Sequence, residues 1–363
     1  MLHELSPKNT LLVRGPASIV LLHGQASILG AGIQSHQRTT VMDEKQLPIE
    51  TTQHANLEIA LGKSAEIFEV QGSTIPRSWS LAAEALAEMN RGKVAVIGPT
   101  DVGKSTLCVY LVNRLLGQKL SIVDADVGQT DFGPPTTIAR AEPKNSITSL
   151  TELLPDARIF IGHTSPAQVK GKLIDGIQRL SAGAEDSLTI INTDGWITDP
   201  EAIQYKIDLI ARIKPDLVIG LGFGNELHPI LAGSRAQSMT VEPANEVLSR
   251  SKSDRRKIRV NGYRKFLDGG SMRTFTLREV QVSIPEKLSF LAKSKGSELR
   301  NLIVGLLDEN RYLVQIGVLL TFEPGTVRVY CKPAREVRTI ELGYLKLSTN
   351  GSELGFVDRQ IVR

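Results

Sequence analysis

The chain has 363 residues, 43 Lys and Arg against 39 Asp and Glu, and a net charge of +4. That length allows two or three domains with a sizeable core, and a composition 41% hydrophobic and 23% charged excludes a disordered or fibrous chain. The mild positive charge permits a polyanionic partner without requiring one. Cys108 and Cys331 are the only cysteines and fall in different predicted domains, so they build no disulfide framework or zinc pattern, and the histidines form no H-E-x-x-H pattern. Met1-Leu2-His3-Glu4 does not open a signal peptide. The apolar stretch from Ile19 to Ile33 is broken by His23, Gln25 and glycines, too punctuated to span a bilayer. A reducing, cytoplasmic setting with no membrane partner is the expectation.

Residues 1–75 read as all-β. Leu11–Val13, Ser18–His23, Ala26–Leu29, Leu57–Leu61 and Ala65–Val70 are predicted strands, punctuated by Gly15-Pro16, Gly24 and Gly30, and they suggest a small sandwich or barrel. The pattern changes after Gly72. Ser78–Asn90 is a predicted helix closed by Arg91-Gly92. Through residues 76–268 strands alternate with helices: Lys93–Ile97, a helix Ser105–Leu116, Leu120–Ala125, Ser187–Thr193, a helix from Asp199-Pro200 to Ile213, and Asp216–Leu221. That alternation argues for a parallel sheet with crossovers. Residues 269–363 return to strands, with Leu302–Leu307 and Arg311–Leu320 as a hairpin around Asp308-Glu309-Asn310, then Thr326–Cys331 and Ile340–Leu347.

Gly98-Pro99-Thr100-Asp101-Val102-Gly103-Lys104-Ser105-Thr106 fits G-x-x-x-x-G-K-[ST] at every required position, between an apolar strand and a helix with Leu107, Leu111 and Leu115 on one face. The glycines let the backbone amides turn inward toward phosphate oxygens. The helix N-terminus adds about half a positive charge. Lys104 is suited to the β- and γ-phosphates and the Ser105 hydroxyl to Mg²⁺. Every residue from Gly98 to Thr106 is read as nucleotide-binding. The expected fold class is α/β, with a P-loop NTPase parallel sheet flanked by a β-rich N-terminal domain (1–75) and a small, mainly β C-terminal domain (269–363).

Asp124-Ala125-Asp126-Val127-Gly128-Gln129 follows the apolar run Leu120–Val123. Carboxylates at the C-terminal end of a parallel strand point into the crevice that a phosphate loop uses. Asp124 and Asp126, two apart, are expected to face the same way on an extended strand. Such a pair suits Mg²⁺, and one member suits a proton from an attacking hydroxyl. Read alone, the same residues equally end a strand and begin a turn. In the basic run from Arg250 to Lys265, Arg250, Arg255 and Arg256 offer planar forks that bridge phosphate oxygens, although the charge run by itself also fits a solvated helix. Trp196 reads first as a core residue because of its size. Asn192-Thr193-Asp194-Gly195 is not the guanine-reading N-K-x-D, which leaves adenine as the expected base.

The combination resembles one family of polynucleotide 5′-hydroxyl kinases, that of the kinase-like subunit of messenger-RNA cleavage and the kinase of ribosomal-RNA processing. The resemblance rests on Gly98–Thr106, on Asp126-Val127-Gly128-Gln129, and on Gly162-His163-Thr164-Ser165-Pro166, which is similar to the family's clasp. It rests also on Asn192-Thr193-Asp194-Gly195-Trp196, similar to its T-x-G-W motif, and on Arg250–Arg256, similar to its arginine-rich lid. It covers residues 90–260 and is closest to archaeal members. Ile258–Arg264 keeps only part of the I-R-E-Y-F-Y-G run found in some relatives. The resemblance implies ATP and Mg²⁺ as cofactors and RNA (with DNA left open) bearing a 5′-hydroxyl as acceptor. It implies catalytic roles for Lys104, Asp126, Arg250 and Arg255, metal binding by Ser105, Asp126 and Asp124, and substrate binding by Gln129, Thr164, Ser165 and Trp196, the last now as a base-stacking platform. RNA-processing proteins are the implied partners. Some relatives look like nucleotide-bound scaffolds, which is the alternative reading.

Overall fold

The computed structural model describes residues 1–43, 45–183, 186–246, 251–293 and 298–357. The N-terminal segment contains strands β1 (Leu2–Leu5), β2 (Asn9–Arg14), β3 (Ala17–His23), β4 (Ser27–Ile28), β5 (Ala31–Gly32), β6 (Arg38–Val41), β7 (Gln46–Glu50), β8 (Ala55–Leu61) and β9 (Glu66–Gln71). They form two sheets, ordered β1-β8-β3-β6 and β5-β4-β7-β2-β9. In β3 and β8 buried and less buried residues alternate, the period-two pattern of a half-buried antiparallel sheet. The strand expected over Ala26–Leu29 shortens to Ser27–Ile28, because Leu29 takes a positive φ and Gly30 follows with another.

Next come α1 (Arg77–Met89), β10 (Gly92–Ile97), α2 (Lys104–Arg114), β11 (Leu120–Ala125), β12 (Thr137–Ala141), β13 (Ala157–Phe160), α3 (Lys170–Leu180), β14 (Leu188–Thr193), α4 (Pro200–Ile213), β15 (Leu217–Leu221), α5 (His228–Ser234) and β16 (Ser238–Val241). The C-terminal part holds α6 (Lys252–Leu267), β17 (Ser271–Thr276), β18 (Gln281–Ser283), β19 (Leu302–Leu307), β20 (Leu313–Glu323), β21 (Thr326–Cys331), β22 (Thr339–Leu347) and β23 (Glu353–Phe356). α1 ends where the sequence reading put it, at Asn90, which adopts the left-handed conformation and caps it just before Arg91-Gly92. Trp79 of α1 is fully buried, and its indole N–H donates to the Glu242 carbonyl at 2.7 Å. No helix among the described residues is long and apolar enough to cross a membrane.

By contact density the chain divides into two units, the boundary passing through β11: Met1–Ile122, Glu142–Leu153 and Gly183–Arg250 in one, Val123–Ala141, Leu154–Ala182 and Ser251–Arg363 in the other. In the first unit β11, β14, β10, β15 and β16 follow one another across the sheet, and β10 runs parallel to both β14 and β15. Val96 is level with Asn192 on one side and Ile219 on the other. The strands that carry the phosphate loop and the Asn192–Trp196 segment therefore end side by side. In the second unit β12 and β13 pair antiparallel, a departure from the all-parallel expectation. There the β19–β20 hairpin lies where the sequence put it, within the sheet β17-β21-β20-β19-β22-β18, with β23 added to β22. One core of this unit collects Phe160 of β13, Tyr263 and Leu267 of α6, and Ile303, Ile316 and Leu345 of the sheet.

Candidate active site

In the first unit β10 delivers Gly98, where a Cβ would stand 2.3 Å from the Leu221 carbonyl oxygen. Only glycine fits there. Gly103 has φ +97° and is the N-cap of α2. Lys104, the first residue of α2, is 7% exposed, and its ammonium donates to the carbonyls of Gly98 (3.0 Å) and Pro99 (2.7 Å). A buried ammonium arched over a curled loop at a helix N-terminus makes an anion site for phosphate. The Ser105 hydroxyl accepts from Asn192 Nδ2 at 3.3 Å.

The Asn192–Trp196 segment leans on this loop. A Cβ on Gly195 would meet the Thr100 amide nitrogen at 2.6 Å, and Thr100 Oγ1 donates to the Gly195 carbonyl at 3.3 Å. Asp194 is the hub of the turn. It accepts the Trp196 amide (3.0 Å) and the Tyr205 hydroxyl (2.9 Å), and it pairs with the fully buried Lys206 at 2.9 Å. The Lys206 ammonium also donates to the Asp194 carbonyl at 2.8 Å. Trp196 is half-buried. Its indole N–H donates to Asp199 Oδ2 at 2.6 Å, and its ring stacks on Tyr205 with centroids 5.7 Å apart and planes 26° apart. Asp199 also caps α4 through the Ala202 amide at 2.9 Å. The Ala202 amide, then the Trp196 indole, hold its carboxyl below the usual range.

In the second unit Asp124 and Asp126 are not two residues of one strand. β11 ends at Ala125, and Asp126 begins a turn in which its Oδ1 accepts the amides of Gly128 (3.0 Å) and Gln129 (3.1 Å). The short polar side chain replaces the next strand hydrogen bond with bonds to its own backbone. Asp124 is fully buried and accepts the amides of Asp131 (2.6 Å) and Asp126 (3.4 Å). Burial, with the Asp131 charge second, pushes its carboxyl well above the usual range. Gln129 is half-buried in this turn.

The clasp touches the same turn: a Cβ on Gly128 would lie 3.0 Å from the Thr164 carbonyl oxygen. Thr164 and Ser165 are half-buried, and the Ser165 amide donates to His163 Nδ1 at 2.8 Å. α6 opens with Ser251 and Asp254 capping each other's backbone amides, a stable helix start. Arg255 is half-buried on its first turns; Arg250 lies outside the described residues. One turn beyond, Arg259 makes a fork-to-fork pair with Glu353 of β23, at 2.6 and 3.1 Å. Burial would lower the Arg259 pKa, but Glu353 outweighs it with help from Tyr263 and Asp126, and the net shift is upward.

The structure therefore gathers the predicted residues in two groups. Gly98–Thr106 and Trp196 share the first unit. Asp124, Asp126, Gln129, Thr164, Ser165 and Arg255 share the second. The sequence reading missed the supports Asp194, Lys206, Asp199, His163, Arg259 and Glu353. Asp194 and His163 lay inside quoted motifs; Lys206 and Glu353 carry no short-range signal at all.

A family model for the P-loop of the mRNA cleavage and polyadenylation factor CLP1 matches residues 98–269. A polyribonucleotide 5′-hydroxyl-kinase of Pyrococcus furiosus is 31% identical over 342 residues, covering 79% of this chain and 96% of that protein. Its counterpart in Methanocaldococcus jannaschii is 29% identical, over 74% of this chain and 91% of that protein. Among solved structures, a complex of Clp1p with Pcf11p shares the fold, with TM-score 0.70 at 12% identity over 95% of this chain and 99% of that one. With a nucleotide-binding loop formed as its motif demands, and with similarity along nearly the whole length of these archaeal proteins, the chain belongs to the polyribonucleotide 5′-hydroxyl-kinase family with the CLP1-type P-loop.

Proposed function

We propose that this protein transfers the γ-phosphoryl group of ATP to the 5′-hydroxyl end of RNA. The observation that carries the reading is the phosphate loop with Lys104 folded over it, backed by the glycine of the Asn192–Trp196 turn. The archaeal relatives bear the name of that activity.

Phosphoryl transfer needs positioning and charge neutralisation more than covalent chemistry. In the proposed reaction the loop amides and Lys104 hold the β- and γ-phosphates. Asp126 orients the 5′-hydroxyl and takes its proton as the O–P bond forms and the bond to the β-phosphate oxygen breaks. Arg250 and Arg255 neutralise the charge spread over the transferring group. Thr164 and Ser165 bond a phosphate oxygen or the incoming hydroxyl, Gln129 contacts the acceptor's first phosphate or ribose, and Trp196 stacks on its terminal base.

Mg²⁺ fits as a companion of the nucleotide. Among the described residues no group of three or more His, Cys, Asp and Glu side chains could hold a metal ion, and Ser105 and Asp126 are the hard oxygen donors of the proposal, Asp124 being their support. Mg²⁺ is commonly held in this way, by one or two protein oxygens with phosphates and water completing its shell. When bound, it would neutralise phosphate charge. Association with RNA-processing proteins belongs to the same proposal, supported by the Clp1p neighbours having been solved with Pcf11p.

The test is to offer RNA and DNA oligonucleotides with 5′-hydroxyl or 5′-phosphate ends and locate the label from γ-labelled ATP. Label on the 5′-hydroxyl RNA alone, or on both 5′-hydroxyl polymers, supports the reading and fixes the polymer. ATP bound without transfer would overturn it in favour of a nucleotide-bound scaffold.

A further inference from the structure

The C-terminal sheet carries none of the residues assigned to the reaction, yet within the second unit its last hairpin touches both α6, which carries Arg255, and the clasp, which carries Thr164 and Ser165. Glu353, its side chain 9% exposed, binds the Arg259 guanidinium with both carboxylate oxygens. Its carbonyl accepts Arg256 Nη2 at 2.9 Å. At the hairpin turn, Gly351 has φ +85°, and a Cβ there would stand 2.9 Å from the Arg264 amide nitrogen. α6 thus rests against the turn along much of its length.

On the other side of the hairpin the Tyr344 amide donates to the Gly162 carbonyl at 2.8 Å. A Cβ on Gly343 would lie 2.8 Å from that same oxygen. Phe356 stacks on the His163 ring, centroids 4.5 Å apart and planes 28° apart, while Tyr344 meets it edge-on at 5.7 Å. His163 in turn receives the Ser165 amide. The chain of contact runs from Phe356 through His163 to the clasp, as it runs from Glu353 through Arg259 to α6.

We infer that Glu353 and Phe356 are positioning residues for phosphoryl transfer, one hairpin holding the arginine helix and the clasp in a common register. Two observations separate this from ordinary packing. A bidentate carboxylate–guanidinium pair fixes rotation as well as distance, more than a buried apolar contact would require. Phe356 is 39% exposed on the edge strand β23, so its stacking does little for the core. The inference rests on the kinase reading, because the held segments bear Arg255, Thr164 and Ser165.

Glu353→Gln and Phe356→Ala test it, with Phe356→Tyr as the conservative rescue. Misplacing catalytic groups by an ångström costs up to about 100-fold, so kcat toward 5′-hydroxyl RNA is expected to fall about 10–100-fold while ATP affinity and melting temperature hold. Phe356→Tyr is expected to retain kcat. Hydrogen exchange across residues 252–267 is expected to accelerate in Glu353→Gln, a readout that needs no turnover. Unchanged kcat, or ATP affinity and melting temperature falling in step with it, would overturn the inference. Wild-type protein that transfers no phosphate, with exchange still accelerated in Glu353→Gln, would overturn the kinase reading while leaving the docking contact intact.

Discussion

Trp196 owes its pose to the start of α4, the helix that follows it. Asp199 fixes the indole edge at 2.6 Å and Tyr205 covers one ring face. Base stacking on such a ring is worth about 1–3 kcal/mol. Trp196→Ala is therefore expected to weaken 5′-hydroxyl RNA binding by that amount while ATP titrations stay unchanged; unaltered RNA affinity would make the ring a structural residue. Asp199 gives a pH signature. Its carboxyl is held below the usual range by the Ala202 amide and then the Trp196 indole. A lowered value stabilises the fold above the ordinary carboxylate pKa and loses that contribution as pH falls through the folded value. Wild type is therefore expected to melt above Asp199→Asn at neutral pH, with the gap closing below about pH 4. A gap independent of pH would assign the effect to shape rather than charge.

At the scale of elements, α4 anchors the Asn192–Trp196 turn to the phosphate loop. Lys206→Met leaves the Asp194 carboxylate buried without its ammonium, a loss of about 3–5 kcal/mol, measurable by denaturant unfolding. Adding Asp194→Asn is expected to recover part of it, and strict additivity would deny the coupling. Gly195→Ala would drive a Cβ into the Thr100 amide. Its expected effect is about tenfold weaker ATP binding, near the worth of one phosphate hydrogen bond, and equal affinity would show that the turn and loop move independently. The elements legible in the sequence were those with strong local signals. β11 was read at its observed bounds from its apolar run, and α4 from the Asp199-Pro200 start. α3 went unread because Gly171 and Gly176 break the helical pattern. Gly176 is there for packing: a Cβ would stand 2.8 Å from the Ile138 side chain of β12. β12 itself, Thr137-Ile138-Ala139-Arg140-Ala141, is short and holds one large apolar residue, and so the antiparallel β12–β13 pair was missed.

At the scale of the whole molecule, the motifs named the chemistry but not the supports. Lys104, Ser105 and Trp196 stood out because glycine loops and strand ends have fixed short spacings. Arg259 and Glu353 are 94 residues apart, and no periodicity in either segment announces the other. At the acidic pair the period-two rule placed a continuing strand, where Asp126 instead forms a turn with its own backbone. Cys108 and Cys331 are both buried and fall in different units. The central claim is that Lys104 and its loop hold ATP for transfer to a hydroxyl, and one assay reaches it directly. Wild type and Lys104→Ala are each given γ-labelled ATP with 5′-hydroxyl RNA. The account predicts label on the RNA 5′ end with wild type and a loss of at least about 100-fold in the variant, the cost of one buried charge-stabilising donor, with the fold retained by circular dichroism. Equal labelling by a folded Lys104→Ala protein would contradict it.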